Sequence, residues 1–469
     1  MNNNKFIDTP VLWNLVLVCV CIIVWISVHL LSATPFPFDY DSTNYALGIW
    51  DKFDIGKCQP HAFGYIFHIM SARVFLPFIK NLFILQQAQS ILYLLIAVLC
   101  FIPWQKKVSH ALLIFATMPL LLFFTSVPVI HAASLAASAL LAKSLFLLHE
   151  RKINPVVPVI ILFTSIGFRQ DLGIFLGPVL AFALLRNRCT IRQWTIFSLC
   201  AALLTLSWYL PTSLLSKGLS PWKEANVIVR PFLESSSIIY GASLFSWARS
   251  VLRFLIYLPG VLGPGGIILA IFAFKSCDQT DRLYLFFATA PFMIYGFIFY
   301  FGFPNYYATI IAFFFVWISN CKDLTISPMV TMVSVLLNVL YFSFAPVPQY
   351  EDTTNYSNRT TVQSVKKQLS YLGANGRPYI QHRKNKHAFI DSALSKCKCF
   401  YDTDKIEYGG IPYHRIWKLM SMTQWGNTYG DNPDSADCII RYVKPGETPD
   451  LQSGNVGIWY KKKAQNQNE

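Results

Sequence analysis

Long uninterrupted apolar windows recur along this chain and constrain its fold more than any other feature. The first runs from residue 10 to residue 33, and a helix of about 20 apolar residues is long enough to cross the hydrocarbon core of a bilayer. Only 13% of the 469 residues are charged and 54% are hydrophobic, whereas soluble domains keep about a quarter of their residues charged. The sequence therefore predicts an α-helical polytopic membrane protein.

Hydropathy predicts about eleven membrane-spanning helices. The first window is too long for the apolar core of a signal peptide, and no small-residue cleavage pattern follows it, so we interpret it as a retained anchor. The predicted spans are 10–33, 82–104, 111–126, 130–148, 155–168, 172–185, 194–214, 251–274, 283–302, 306–319 and 328–344.

The connections between these windows alternate in charge. One set carries basic residues, for example Lys106, Arg151 and Arg186, whereas the connections 126–128 and 303–305 on the opposite side carry none. Because short cytoplasmic loops collect Lys and Arg, this asymmetry predicts a cytoplasmic N-terminus and, with an odd number of spans, an external C-terminal tail. The same bias explains the net charge of +15 without a nucleic-acid partner.

Three segments on the predicted outer side are too long to be simple connections. They are a first loop, 34–80, a second loop, 216–249, and a polar tail, 346–469. The tail alternates strand-like runs with helix-like stretches, so we predict a transmembrane domain over 1–345 and a small extracytoplasmic α/β domain over 346–469. The strand-like runs are 438–443 and 456–460, and the helix-like stretches are 387–395 and 414–420.

Four cysteines lie in the polar parts of the chain. Cys397, Cys399 and Cys438 belong to the tail, and Cys58 belongs to the first loop. They admit a disulfide, but their spacing does not determine which of them would be joined.

The first loop carries two carboxylates directly after the first span. Asp39 and Asp41 stand two residues apart, and Gln59, His61 and an aromatic run follow. A carboxylate that loses part of its hydration at a membrane surface becomes a better proton acceptor, which suits a general base. The same pair would suit a divalent cation, which prefers oxygen ligands. Acidic residues that simply flank the end of a span in water explain the pattern equally well.

The segment FDYDSTNYALG…QPHAFGYIFHIMSARVF resembles the first periplasmic loop of bacterial GT-C glycosyltransferases. These are the families related to protein O-mannosyltransferases and to the transferase that adds aminoarabinose to lipid A. Asp41 with Tyr45 matches the acidic motif of that loop, and His61 with Tyr65 matches its second motif. The usual Asp-Glu pair and the two prolines of the second motif are absent here.

This resemblance implies a GT-C fold and a polyprenyl-phosphate-sugar donor, used on the periplasmic face of a bacterial inner membrane. The acceptor would be a lipid, glycan or protein of the cell envelope. Asp41, with Asp39 beside it, would act as the catalytic carboxylate in an inverting transfer, and Tyr45, Gln59, His61 and Tyr65 would contact substrate. The resemblance specifies no cofactor, and a divalent cation at the two aspartates stays open.

A charged turn separates two closely spaced apolar segments near residue 169. It contains Arg169, Gln170 and Asp171, and a charge at such a place is costly unless it is paired or binds an anion. Because an arginine fork matches phosphate geometry, we predict that Arg169 binds the donor phosphate and that its two neighbours contact substrate. An internal ion pair between Arg169 and Asp171 is the alternative.

Further candidates lie at other predicted outer turns. His131 opens a span, and Asn305 and Tyr306 belong to a proline-aromatic turn. We predict substrate contacts for all three, although a buried histidine and an interfacial aromatic belt explain the same residues. Arg230 and Arg253, in and near the second loop, would bind the donor phosphate or, alternatively, anionic lipid at the membrane surface.

A transporter or flippase for lipid-linked sugars is the main alternative function. It would place charged residues within the spans along a transport path, whereas the clearest charges lie at the predicted outer ends. The sequence contains no Walker loop, no convincing GxGxxG and no HExxH. This absence fits a donor that is activated on a lipid rather than on a nucleotide.

Overall fold

The computed structural model describes most of the helical part of the chain and parts of the tail. The described residues are 9–36, 38, 40–55, 60, 64–103, 110–216, 218, 230, 233–234, 236–299, 304–322, 324, 326–348, 361–394, 397, 399–402, 407–408, 411–412, 428–429, 436–443, 446–453 and 456–460.

Helices make up nearly all of the described structure before the tail. They are α1 (Thr9–Ser32), α2 (Tyr40–Trp50), α3 (Ile66–Phe75), α4 (Leu82–Phe101), α5 (Ala111–Ala116), α6 (Pro119–Ser126), α7 (His131–His149), α8 (Val156–Phe168), α9 (Asp171–Arg186), α10 (Ile191–Leu215), α11 (Leu244–Lys275), α12 (Gln279–Ile298), α13 (Ala308–Cys321) and α14 (Pro328–Phe344). Short 3₁₀ turns lie at Ile238–Tyr240 and Pro304–Tyr307.

Five helices of the described structure are long and apolar enough to cross a membrane. These stretches are Val11–Ser32, Leu82–Phe101, His131–His149, Ile191–Leu215 and Leu244–Ser276. Shorter apolar helices, among them Val156–Phe168 and Pro328–Phe344, accompany them. This pattern indicates a membrane protein, since a helix satisfies its own backbone hydrogen bonds in lipid. The count of about eleven spans stays a prediction.

Where the structure describes them, the apolar windows of the sequence largely coincide with helices. The window 111–126 forms two helices, α5 and α6, because the chain leaves the helical conformation at Thr117 and Met118. Pro119 follows immediately, and proline disfavours the helical conformation in the residue before it. The window is therefore helical but not one continuous helix, and its crossing of the membrane stays a prediction.

Helix α7 lies at the centre of the helical domain, in contact with α4, α8 and α13. Most of its side chains are buried Ala, Ser and Leu, and small residues allow neighbouring helices to approach closely. Trp317 of α13 packs nearby, with its ring stacked on Tyr284 at 4.1 Å between centroids. Its indole donates a hydrogen bond to Asp281 at 3.1 Å. The domain is therefore held by close helix packing and by buried polar contacts.

Helix α11 is kinked near its middle. Gly263 has φ 65° and ψ 173°, and Pro264 follows it. Asn338 of α14 compensates for the broken backbone ladder, because its Oδ1 accepts from the Gly265 N–H at 2.8 Å. The Nδ2 of the same side chain donates to the Ile114 carbonyl at 3.3 Å. A buried amide thus supplies the hydrogen bond that the kink removes from the helix.

Gly263→Ala is expected to lower the thermal stability of the protein. A left-handed φ costs an L-residue about 1–2 kcal/mol. The added Cβ would also lie 2.7 Å from Oδ1 of Asn338 and 2.8 Å from Pro119. Thermal unfolding of the purified protein in detergent measures the effect.

The matched control for this variant is Gly173→Ala. Gly173 lies in the first turn of α9, and the nearest atom to an added Cβ would be Cδ1 of Ile166, the end of a flexible side chain, at 3.1 Å. Alanine favours a helix over glycine by about 1 kcal/mol. We expect this change to leave stability unchanged or to raise it. Equal midpoints for the two variants would contradict the explanation of the kink.

The tail adds two helices, a further 3₁₀ turn and a five-stranded sheet in the order β4-β1-β5-β7-β6. Strand β1 pairs in parallel with β4 and β5, and β7 pairs antiparallel with β5 and β6. The elements are α15 (Thr361–Ser370), the turn Tyr371–Gly373, α16 (Arg377–Leu394), β1 (Cys399–Asp402), β2 (Glu407–Tyr408), β3 (Ile411–Pro412), β4 (Thr428–Tyr429), β5 (Cys438–Tyr442), β6 (Leu451–Ser453) and β7 (Val456–Tyr460).

Both strand-like runs of the sequence are strands in the structure, β5 and β7. The helix-like stretch 387–395 lies mostly in α16, and 414–420 lies outside the described residues. The tail also contacts the helices of the first part of the chain. Helix α16 contacts α1 and α14, and the turn Tyr371–Gly373 contacts α11. The tail helices are therefore packed on the helical domain.

A disulfide joins Cys397 to Cys438, with the Cα atoms 6.0 Å apart. Cys399 is free, and Cys58 lies outside the described residues. The bond ties the residues before β1 to the neighbouring strand β5. Such bonds persist in oxidising compartments.

Candidate functional site

Arg169 lies in the turn between α8 and α9, and its guanidinium is almost completely buried. The side chain is 2% exposed. Its Nε donates to Oδ1 of Asp171 at 3.0 Å, and its Nη2 donates to Oδ2. Burial opposes the charge, but the carboxylate outweighs it and holds the pKa of Arg169 above its usual value. The turn therefore keeps a permanent positive charge inside the protein by a bidentate ion pair.

The third guanidinium nitrogen of Arg169, Nη1, does not contact Asp171 in this ion pair. Nη1 is buried and forms no hydrogen bond of good geometry within the described ranges. The guanidinium also interacts with the hydroxyl of Tyr306. The ion pair itself therefore does not use this donor, and a phosphate oxygen is a strong acceptor for it.

Two tyrosines cover the guanidinium. Its Cζ lies 4.9 Å from the ring centroid of Tyr306 and 5.9 Å from that of Tyr65, distances at which an aromatic face attracts a cation. Tyr306 belongs to the turn Pro304–Tyr307, and Tyr65 directly precedes α3. Two segments that are far apart in sequence therefore converge on Arg169.

Asp41 lies close enough to the two tyrosines for its charge to act on both. It lies in the first turn of α2, where a carboxylate is favoured by the helix dipole, and its side chain is partly buried. Burial raises the pKa of Tyr65, the Arg169 charge opposes this rise, and the charges of Asp171 and Asp41 add to it. The charges of Arg169, Asp171 and Asp41 also act on the hydroxyl of Tyr306. We call Asp41, Tyr65, Arg169, Asp171 and Tyr306 the Arg169 cluster.

The backbone at Tyr65 is strained. Tyr65 has φ 40° and ψ 48°, a left-handed conformation that costs a residue with a side chain on the order of 1–3 kcal/mol. Gly64 before it has φ 90°, and a Cβ there would lie 2.8 Å from Cγ2 of Thr212. This double left-handed turn brings the chain into α3 with the Tyr65 ring directed at Arg169. Strain of this kind persists where the surroundings hold it and is common at functional sites.

His131 and Tyr45 extend the Arg169 cluster on two sides. The His131 ring lies 4.8 Å from that of Tyr306 between centroids. The Tyr45 ring lies 5.7 Å from that of Tyr65 and 5.8 Å from that of His68. The side chains of His131, Tyr45 and His68 are all buried. The site is therefore a charged centre with an aromatic wall.

Gln170 and Asn305 are sequence neighbours of residues in the Arg169 cluster. Gln170 occupies the position between Arg169 and Asp171 at the start of α9. Asn305, which immediately precedes Tyr306, is buried and accepts a hydrogen bond from Asn375 of the tail at 3.4 Å. The tail thereby contacts the turn that carries Tyr306.

The remaining sequence candidates lie elsewhere or outside the described residues. Arg230 is 72% exposed, and its Nε donates to Glu234 at 2.7 Å. Arg253 stacks on the ring of Tyr371 in the tail at 4.4 Å. Asp39, Gln59 and His61 lie outside the described residues. The contacts described for Arg230 and Arg253 are with Glu234 and Tyr371, and none of these contacts involves Arg169.

A divalent cation at Asp39 and Asp41 stays a prediction. Within the described residues no group of three or more His, Cys, Asp or Glu side chains is arranged to hold a metal ion. The structure describes Asp41 but not Asp39. One carboxylate alone does not define the ligands of a cation.

Arg73 of α3 positions the helix that carries Asp41, and sequence reasoning did not single it out. Its Nη2 donates to the carbonyls of Gly48 at 2.6 Å and Asp51 at 2.9 Å, and its Nε donates to that of Ile49 at 3.1 Å. The last carbonyls of a helix lack partners within the helix, and Arg73 supplies them for α2. The one arginine in a short, mostly apolar helix was the available signal.

Arg73→Met is expected to destabilise the protein by about 1.5–3 kcal/mol, the range for hydrogen bonds to a charged group. Methionine keeps an apolar stem but leaves the carbonyls at the end of α2 without their donors. Arg192→Met is the control, since Arg192 is exposed in the first turn of α10. Thermal unfolding midpoints compare the two, and a control variant that is equally destabilised would contradict this role.

The tail also holds the segment that links α1 to α2. The guanidinium of Arg383 lies 5.5 Å from the ring of Phe38 and 5.6 Å from that of Tyr379. Lys384 donates to the carbonyl of Ala33 at 3.3 Å. Within the linking segment, the Phe38 N–H donates to Oγ of Ser42 at 2.9 Å. These contacts fix the segment that leads into α2, whose first turn contains Asp41.

Comparison with known proteins adds no assignment to this geometry. No protein-family model matches the chain, and no curated protein or solved structure matches it. The chemistry of the site follows from its own residues: a carboxylate and a paired guanidinium that share two tyrosines at the ends of apolar helices.

Proposed function

We propose that this protein is an integral membrane glycosyltransferase of the GT-C type. It would transfer a sugar from a polyprenyl-phosphate-linked donor to a lipid, glycan or protein of the cell envelope. The observation that supports the proposal is the convergence of Asp41 and Arg169 on the same pair of tyrosines. Such a transfer needs both a proton acceptor and a positive charge for the leaving phosphate.

In the proposed reaction Asp41 accepts the proton of an acceptor hydroxyl. The hydroxyl oxygen attacks the anomeric carbon as the bond from that carbon to the phosphate oxygen breaks, and the bonding electrons leave with the phosphate. Displacement in one step inverts the anomeric carbon. Arg169 stabilises the departing phosphate through Nη1, while Asp171 holds the other side of the guanidinium. A preorganised donor of this kind commonly contributes about 2.7–4 kcal/mol.

The proposed location is the extracytoplasmic face of a bacterial inner membrane. The alternation of basic and charge-free connections supports a cytoplasmic N-terminus. The Cys397–Cys438 disulfide supports a tail in an oxidising compartment. The tail contacts Asn305, Phe38 and Ala33 on the same side as the Arg169 cluster, so tail and site would share that compartment.

The direct test is sugar transfer in isolated membranes. Membranes with and without the full chain are supplied with a panel of radiolabelled polyprenyl-phosphate hexoses and pentoses, and label in envelope lipid, glycan and protein is counted. We expect label in one of these fractions only when the chain is present. A chain that moves the donor between leaflets of proteoliposomes and forms no product would instead be a flippase, and the proposal would be wrong.

A further inference from the structure

An apolar crevice of about 540 Å³ runs along helix α11. Phe314 of α13 lines one side, and residues of α11 on both sides of the Gly263 kink line the other. Beyond the kink these α11 residues are Ile267, Ala270, Ile271, Phe274 and Lys275. Their spacing of three and four places them on one face of the helix, so the crevice follows that face as far as the lysine.

The end of the crevice is basic. Lys275 is exposed there, and the guanidinium of Arg282 lies 5.8 Å from the ring centroid of Phe274. Arg186 reaches the same connection, where it donates to Oγ1 of Thr280 at 3.2 Å. Asymmetry of this kind, an apolar groove that ends in cations, matches a molecule with a hydrocarbon chain and an anionic head.

Among the described residues, the acids at this end are already paired. Asp278 and Asp281 both accept from Lys322, with N–O distances of 2.8 Å and 3.2 Å. The hydrogen bond from Lys322 lowers the pKa of Asp278 to about 2. Counted together, Arg186, Lys275, Arg282 and Lys322 exceed the two carboxylates by two positive charges.

The crevice end lies far from the Arg169 cluster. Tyr307, the neighbour of Tyr306, donates to the Phe254 carbonyl of α11 at 2.7 Å. Lys275 lies 21 residues further along the same helix, a path of about 30 Å at 1.5 Å per residue. The crevice is thus separate from the Arg169 cluster, and binding of a ligand there does not depend on the proposed reaction.

We propose that this crevice binds an anionic phospholipid of the surrounding bilayer. One acyl chain would lie along Ile267, Ile271 and Phe274, and the phosphate would contact Lys275 and Arg282. The stretch from Ile267 to Lys275 rises about 12 Å, close to the depth of one leaflet in a hydrocarbon core of about 30 Å. Basic pockets between membrane helices favour anionic head groups.

Native mass spectrometry of the purified full chain tests this proposal, with phosphatidylglycerol and phosphatidylcholine as the probes. We expect wild-type protein to retain phosphatidylglycerol more strongly. The double variant Lys275→Ala/Arg282→Ala should weaken its binding by about 25-fold, at about fivefold for each charge removed. Ile271→Trp, which fills the groove, should abolish retention of the bound lipid.

Each variant has a matched control. Arg192→Ala removes an exposed charge from the first turn of α10. Leu203→Trp enlarges a side chain that is 58% exposed, against 51% for Ile271. We expect both control proteins to bind phosphatidylglycerol as the wild type does. Equal retention of the two lipids, or equal losses in the variants and their controls, would overturn the proposal.

Discussion

Asp41→Asn is expected to reduce sugar transfer by about 100-fold or more, because a positioned general base commonly contributes about 10²–10⁴-fold. Asparagine keeps the size of the side chain and suits the first turn of α2, but its amide cannot accept the proton of an acceptor hydroxyl. Transfer of labelled sugar in isolated membranes measures the loss. The amount of protein and its insertion in the membrane should not change.

Glu234→Gln is the control for the loss of a carboxylate. Glu234 is 47% exposed and pairs with Arg230, away from the Arg169 guanidinium. Its variant should transfer sugar at the wild-type rate. A fully active Asp41→Asn protein would remove Asp41 from the reaction, and inactivity of both variants would point to a general loss of folded protein.

The second large effect is expected from Asp171→Asn, which should destabilise the protein by about 3 kcal/mol. The amide cannot neutralise Arg169, whose side chain is 2% exposed, and an uncompensated buried charge is costly. Glu234→Gln again serves as the control, since breaking an exposed pair costs about 0.5 kcal/mol or less. Thermal unfolding in detergent compares them, and similar midpoints would contradict the buried ion pair.

A double variant separates stability from chemistry at this turn. Arg169→Met/Asp171→Leu replaces both charges by apolar side chains, a change that is often neutral or stabilising for buried pairs. We expect it to recover the stability lost in Asp171→Asn and to remain inactive in transfer, because no guanidinium meets the leaving phosphate. Recovery of both properties would show that Arg169 has only a structural role.

The helical framework was largely predictable because hydropathy is a local signal. The window 328–344 coincides with α14, and the predicted break between apolar segments near residue 169 is a turn between α8 and α9. For Arg169 the sequence left two explanations, an ion pair and an anion site. The pair with Asp171 forms, yet Nη1 is not used by it, so the two explanations are compatible.

The contacts between distant parts of the chain were not predictable. Arg73 reaches the end of α2, and Arg383 reaches Phe38, but neither contact leaves a periodic pattern in the sequence. The pairing of Cys397 with Cys438 was open for the same reason, since spacing does not decide between partners. The break at Thr117 shows the limit of hydropathy, which measures apolar content and not backbone conformation.

The contacts of α16 mean that the boundary at residue 345 is not a place where this protein divides into exchangeable modules. Lys384 is bonded to a carbonyl 351 positions earlier in the chain, and Tyr341 of α14 donates to the Leu372 carbonyl at 2.8 Å. A chain that ends at residue 345 would lose the contacts of Arg383 and Lys384 with the segment before Asp41. Grafting the tail of another protein would therefore fail unless the graft reproduced those two anchors.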